Sequence, residues 1–169
     1  LGAAYDGDVR LAAVQVGLLG FWGEWHTWPY EELFADDALQ ASVLSAYDAA
    51  FDATPVQVRY PVAGSVGLDV GFHDDSFAYS TLGEIDWFFV PLLEAAGAED
   101  RWQSVLIGGE LRPELQEEVF EPGYTESTYA QDFLDCVDAT HASYMLNYAA
   151  FVTGYESVSY THLTLPTSG

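Results

Sequence analysis

The chain has 169 residues, half of them hydrophobic, and a formal net charge of -23 that comes from 27 acidic side chains set against four arginines and no lysine. That length and apolar content suit one domain with a real core and exclude a disordered chain. The acidic balance repels phosphate backbones and anionic lipid, and no stretch is long and apolar enough to span a bilayer, so no nucleic acid and no membrane insertion are expected; a salt-adapted source would give the same charge.

The chain opens on Leu1 rather than methionine and enters an apolar run at once, so the missing N-terminal part of a larger domain is expected to precede it. No signal peptide is visible, and an extracellular or periplasmic location is the expectation. Residues 9–19 read as a buried strand. Directly after it comes Gly20-Phe21-Trp22-Gly23-Glu24-Trp25-His26, with Trp28 close by. One carboxylate flanked by two tryptophans and a histidine at a strand end reads as a sugar-handling site. Indole stacks on the apolar faces of sugars, and a carboxyl among aromatic walls holds its proton more tightly, as a general acid must.

Residues 29–51 form a helical region in which Leu39, Val43, Tyr47 and Ala50 recur at helical spacing and Asp36 or Asp37 serves as a cap. Val56-Gln57-Val58-Arg59-Tyr60 is a second strand, stopped by Pro61, and residues 66–72 are a third that ends in His73-Asp74-Asp75. Thr81-Leu82-Gly83-Glu84 has the spacing of a capping box before a helix over 85–96, which Pro91 bends. Residues 104–110 are a fourth strand that ends in Gly108-Gly109-Glu110. A helix over 127–137 presents Tyr129, Phe133 and Val137 on one face, and 140–146 read as a fifth strand. Cys136, alone in the chain, supports neither a disulfide nor a thiolate metal site and reads as a core residue. Residues 158–169 carry no acidic side chain and resemble translated adapter read-through, which divides the chain into a domain over 1–157 and a non-native tail over 158–169.

Strands alternating with helices predict an α/β fold with a parallel sheet. Glu24, Arg59, Asp74, Asp75 and Glu110 fall at or just past the carboxyl ends of the predicted strands, which favours a TIM (β/α)8-type barrel over a doubly wound sheet, since no glycine-rich nucleotide loop is present. Val14-Gln15-Val16-Gly17 with Gly23-Glu24-Trp25-His26, then Arg59-Tyr60-Pro61, Gly71-Phe72-His73-Asp74-Asp75-Ser76-Phe77 and Gly108-Gly109-Glu110, together resemble an uncharacterised bacterial domain-of-unknown-function family associated with glycoside-hydrolase-like TIM barrels. The likeness covers residues 9–150. It implies a C-terminal barrel portion, strands four to eight, with Glu24 ending strand four and Glu110 ending strand seven. In the large clan of retaining glycosidases on that fold, those positions carry the acid/base and the nucleophile. Gly23 stands where that clan places an asparagine for the sugar 2-hydroxyl.

The expected function is therefore retaining hydrolysis of a carbohydrate by Glu24 and Glu110, with no cofactor, and with Trp22, Trp25, His26, Arg59, His73, Asp74 and Asp75 binding substrate. Arg59 is also expected to orient a protein carboxylate such as Glu24, with selection of an acidic sugar as the alternative. His141, Tyr144, Asn147 and Tyr148 complete the mouth or pack in the core. Two alternatives stand beside hydrolysis: a non-catalytic carbohydrate-binding or cell-surface module, and a metal-dependent hydrolase built on His26, His73 and Asp74.

Overall fold

The structure is a computed structural model that describes residues 1–62, 64–119 and 131–148. Five parallel strands form one sheet in sequential order, β1 (Val14–Gln15), β2 (Val56–Val58), β3 (Val70–Phe77), β4 (Ile107–Leu111) and β5 (Tyr144–Leu146). The α-helices are α1 (Gly2–Tyr5), α2 (Asp37–Asp48), α3 (Phe89–Ala96) and α4 (Phe133–Thr140). The fold is thus α/β with a curled, all-parallel sheet. The expected C-terminal portion, about strands four to eight, of a TIM (β/α)8-type barrel is corrected: the described residues give an open five-stranded parallel sheet with four α-helices, in which β1 and β5 are free edges. Closure requires the first and last strands to hydrogen-bond to each other with a matched stagger, and β1 and β5 each pair on one side only.

The registers run Gln15 to Gln57 to Gly71 across the first three strands, and His73 to Gly108 to Tyr144 across the last three. Side chains alternate along a strand, so these rows divide the sheet into two chemically different faces. One face carries Val56, Val58, Val70, Phe72 and Ile107, all buried, which pack with Leu44 of α2 and with Phe89 and Leu93 of α3. Truncating a fully buried side chain such as Phe72 to alanine costs about 3–5 kcal/mol in such a core. Under α4, Phe77 and Leu111 pack on Cys136 and Ala142 in a second cluster. The other face carries Gln15, Gln57, Gly71, His73, Asp75, Gly108, Glu110 and Tyr144. Parallel sheets are ordinarily apolar on both faces, so a polar face marks where the fold does something else.

Local chemistry explains the element boundaries. The Asp36 carboxylate accepts from the Leu39 N–H at 2.9 Å and starts α2. Asp132 does the same for α4 through Leu134 and Asp135, both at 2.9 Å. Pro91 sits in the first turn of α3, where its missing N–H interrupts no helical bond, and Gly97 at φ 63° ends that helix.

Several expectations shift. Only Val14–Gln15 of the run 9–19 is strand, and Val9 is 99% exposed. β3 begins at Val70 rather than 66 and continues through His73, Asp74 and Asp75, with its entry held by Arg101, which donates to the carbonyls of Val66, Leu68 and Val70. Thr81 caps no helix: α3 starts at Phe89, after Phe88, and Thr81 is wholly buried beside Asp74. Tyr129, the start of the expected helix over 127–137, and the tail over 158–169 lie outside the described residues.

Candidate active site

The segment between β1 and α2 carries Glu24 on a backbone that few side chains tolerate. Leu18, Trp22 and Trp25 adopt φ of 74°, 54° and 60°. Left-handed backbone costs a non-glycine residue on the order of 1 kcal/mol, and such strain gathers at functional sites. Gly20, at φ 79°, is required there, because a Cβ would lie 2.5 Å from the His26 carbonyl oxygen. Two bonds close the loop, from the Phe21 N–H to the His26 carbonyl at 2.8 Å and from the Trp25 N–H to the Leu19 carbonyl at 3.0 Å.

The loop's aromatic residues divide by burial. Trp25 is 3% exposed, its indole N–H donating to the Gly17 carbonyl at 3.3 Å and its ring edge-on to Phe34, so it anchors the loop. Trp22 is 85% exposed and stands over the cleft with Phe21 and His26 beside it. Glu24, expected among aromatic walls, is instead exposed. It follows the short helical turn Phe21–Gly23 rather than ending a strand, and its polar partners are Arg59 Nη1 at 3.4 Å and His26 Nε2 at 3.5 Å.

Arg59, just past β2, ties the loop to the sheet. Its Nε donates to Tyr60 Oη at 2.6 Å, Nη1 to the Glu24 carbonyl at 3.0 Å, and Nη2 to the Asp75 carboxylate. Each guanidinium nitrogen therefore already has a protein partner, which opposes use of Arg59 as a free fork for an acidic sugar. Burial raises the Asp75 carboxyl despite that pairing, and burial together with Asp75 pushes Tyr60 up to about 12.

On β3 the alternation separates neighbours in sequence. His73 and Asp75 face the cleft, whereas Asp74 points to the opposite side, where its carboxylate accepts from Thr81 Oγ1 at 2.7 Å and from the Ser76 N–H at 3.0 Å. Burial pushes Asp74 up to about 6, against those two bonds. Asp74 is thereby removed from the substrate-binding set that the sequence suggested. His73 is 4% exposed, with Nδ1 at 2.8 Å from Tyr144 Oη and Nε2 at 3.8 Å from a Glu110 oxygen. Tyr144 Oη in turn donates to Gln57 Oε1 at 2.7 Å.

These groups share a cleft of about 310 Å³ lined by Gln15, Val16, Gly17, Trp22, Gly23, Glu24, Trp25, Arg59, His73, Asp75 and Glu110. It opens at the carboxyl ends of the strands, where ligands bind in parallel α/β sheets. A larger cleft of about 480 Å³ lies at the opposite ends of β2, β3 and β4, lined by Asp48, Asp52 and Asp69 but by no histidine, arginine or tryptophan. The smaller cleft, with acids, a base and an indole together, is the candidate site. His26, His73 and Asp74 do not converge as metal ligands: His26 lies against Glu24, His73 against Glu110, and Asp74 on the far face. Among the described residues no group of three or more His, Cys, Asp or Glu side chains is arranged to hold a metal ion.

Gln15, Gln57 and Tyr144 are the members that sequence reasoning passed over or assigned to packing. The signal for Gln15 and Gln57 was present as polar residues alternating with valines in Val14-Gln15-Val16 and Val56-Gln57-Val58-Arg59. No family model, curated protein or solved structure matches the chain, so the resemblance to glycoside-hydrolase-like proteins rests on its motifs alone.

Proposed function

We propose that the cleft binds a carbohydrate and hydrolyses a glycosidic bond, with Glu24 and Glu110 as the two carboxylates. The observation that carries this reading is the meeting, in one cleft, of Glu24 from a strained loop, Glu110 from β4 and the exposed Trp22 indole. The sugar stacks on Trp22, and Arg59 fixes Glu24 and Asp75 relative to each other. Glu24 protonates the leaving glycosidic oxygen while the Glu110 carboxylate attacks the anomeric carbon. Glu24, now ionised, takes a proton from water, and the water oxygen displaces Glu110 to release the sugar.

Turnover of an aryl-glycoside and oligosaccharide panel by the wild type, Glu24→Gln and Glu110→Gln tests this. Loss of roughly 10²-fold or more in kcat/KM in each variant, with glycan binding kept, is the expected outcome. Unchanged turnover in both variants ends the proposal. One observation favours the second reading, a non-catalytic carbohydrate-binding module: the Glu24 carboxylate is half exposed and engaged by Arg59 and His26 rather than enclosed by aromatic walls. Glycan binding without turnover by the wild type would select that reading.

A further inference from the structure

We propose that His73 is the catalytic partner of Glu110, and that Tyr144 and Gln57 are positioning residues that hold its ring with a hydrogen on Nδ1 and Nε2 turned to the cleft. The catalytic half of this proposal rests on the glycosidase reading; the positioning half stands on hydrogen bonds alone.

The direction of each bond follows from what its atoms can do. Gln57 is wholly buried, and its amide nitrogen donates to the carbonyls of Phe72 at 3.1 Å and Leu106 at 3.0 Å. Reversing the amide would set its oxygen against two carbonyl oxygens, so Oε1 is the atom that faces Tyr144. An amide oxygen only accepts. The single hydroxyl proton of Tyr144 is therefore given to Gln57, at 2.7 Å. Tyr144 Oη must then accept from His73 Nδ1 at 2.8 Å, which places the hydrogen on Nδ1. Burial raises the Tyr144 hydroxyl and so keeps it a neutral donor.

The sheet is built to allow this row of contacts. His73, Gly108 and Tyr144 lie in register on three adjacent strands, and the two rings stack with centroids 6.0 Å apart. A Cβ at Gly108 would lie 2.0 Å from Tyr144 Cε1, and one at Gly71 would lie 2.0 Å from the Leu106 carbonyl oxygen that Gln57 binds. Glycine at both positions lets Gln57 and Tyr144 lie flat across the polar face.

The outcome at the cleft is a ring with one nitrogen committed and the other offered. Nε2 is 3.8 Å from Glu110 Oε2. The other charged groups around the ring are Asp75 and, on the far side of β3, Asp74; Tyr144 faces it from β5. A hydrogen on Nε2 as well would make the ring a cation with Nδ1 committed to Tyr144 and Nε2 facing Glu110 Oε2, an ion pair longer than a hydrogen bond that orients the carboxylate for attack on the anomeric carbon.

Tyr144→Phe removes one hydroxyl and keeps the ring, so it isolates the contact with little risk to folding, which a melting curve checks. Nitrogen-15 NMR of the full chain reads which His73 nitrogen carries hydrogen. At a pH where the ring is neutral, the expected result is hydrogen on Nδ1 in the wild type and a shift of population to Nε2 in Tyr144→Phe. On any glycoside the wild type cleaves, Tyr144→Phe should lower kcat roughly tenfold with KM within about twofold. Hydrogen on Nε2 alone in the wild type, or an identical His73 spectrum in the variant, overturns the positioning half. A changed spectrum with unchanged kcat overturns the catalytic half. A wild type that cleaves no glycoside removes the catalytic half together with the glycosidase reading, while the NMR comparison decides the positioning half by itself.

Discussion

Replacing Asp74 by asparagine should stabilise the protein at alkaline pH and lose that advantage in acid. Asp74 is 2% exposed, and its carboxyl rises from the usual 3.8 to about 6, chiefly through burial. Because the folded value lies above the unfolded one, the folded state binds the extra proton between roughly pH 4 and 6. The wild type is therefore most favoured below that window, and it loses stability as pH rises through about 6. A shift of about two units corresponds to roughly 3 kcal/mol of charge-burial penalty above pH 7.

Asparagine carries no charge but offers one acceptor where the carboxylate uses two, towards Thr81 and the Ser76 N–H. The Thr81 hydroxyl also accepts from the Ala78 N–H at 3.0 Å and cannot simply reverse. Losing one buried hydrogen bond costs about 1 kcal/mol, so the net gain at pH 8 is about 2 kcal/mol, a rise of roughly 4–8 °C in Tm for a chain of this size. Thermal or urea melts of the wild type and Asp74→Asn at pH 8 and pH 5 give the double difference, in which the contribution of Asp75 largely cancels. The same Tm difference between the two proteins at both pH values would refute the reasoning.

Trp22→Ala should weaken glycan binding roughly tenfold in calorimetry and leave Tm within about 1 °C, because an indole this exposed contributes little to the core. Equal loss of stability and binding would mean that Trp22 packs rather than stacks. Arg59→Lys should lower stability by roughly 2 kcal/mol in urea melts and reduce any turnover, since an ammonium cannot reach Tyr60, Glu24 and Asp75 together. A variant as stable as the wild type would show that the guanidinium fork is dispensable.

The parts of this protein that were legible in its residues are those set by neighbours along the chain. The Asp36 cap, the helix that follows it, and the strands around Val56-Gln57-Val58 and Ile107-Gly108-Gly109-Glu110 depend on periodicity and capping, which span a few residues. Thr81-Leu82-Gly83-Glu84 misled for the same reason: its spacing suits a capping box, but the threonine hydroxyl finds a better use on a buried aspartate seven residues earlier. The run over 9–19 is misleading because its apolar composition suggests a buried strand, whereas only Val14 and Gln15 pair with β2 and Val9 is exposed.

The chain by itself determined a parallel sheet with helices between several of its strands and placed Arg59, His73, Asp75 and Glu110 at or near the strands' carboxyl ends, because strand and helix periods are written locally. Only the tertiary structure decided that Asp74 turns away while His73 turns in. It likewise exposed Glu24, and it set Gln57 and Tyr144 behind His73. Each of those outcomes depends on the registers between strands and on contacts between residues tens of positions apart. A one-residue change of register exchanges the two faces of a strand, and no local pattern records which register the whole sheet will choose.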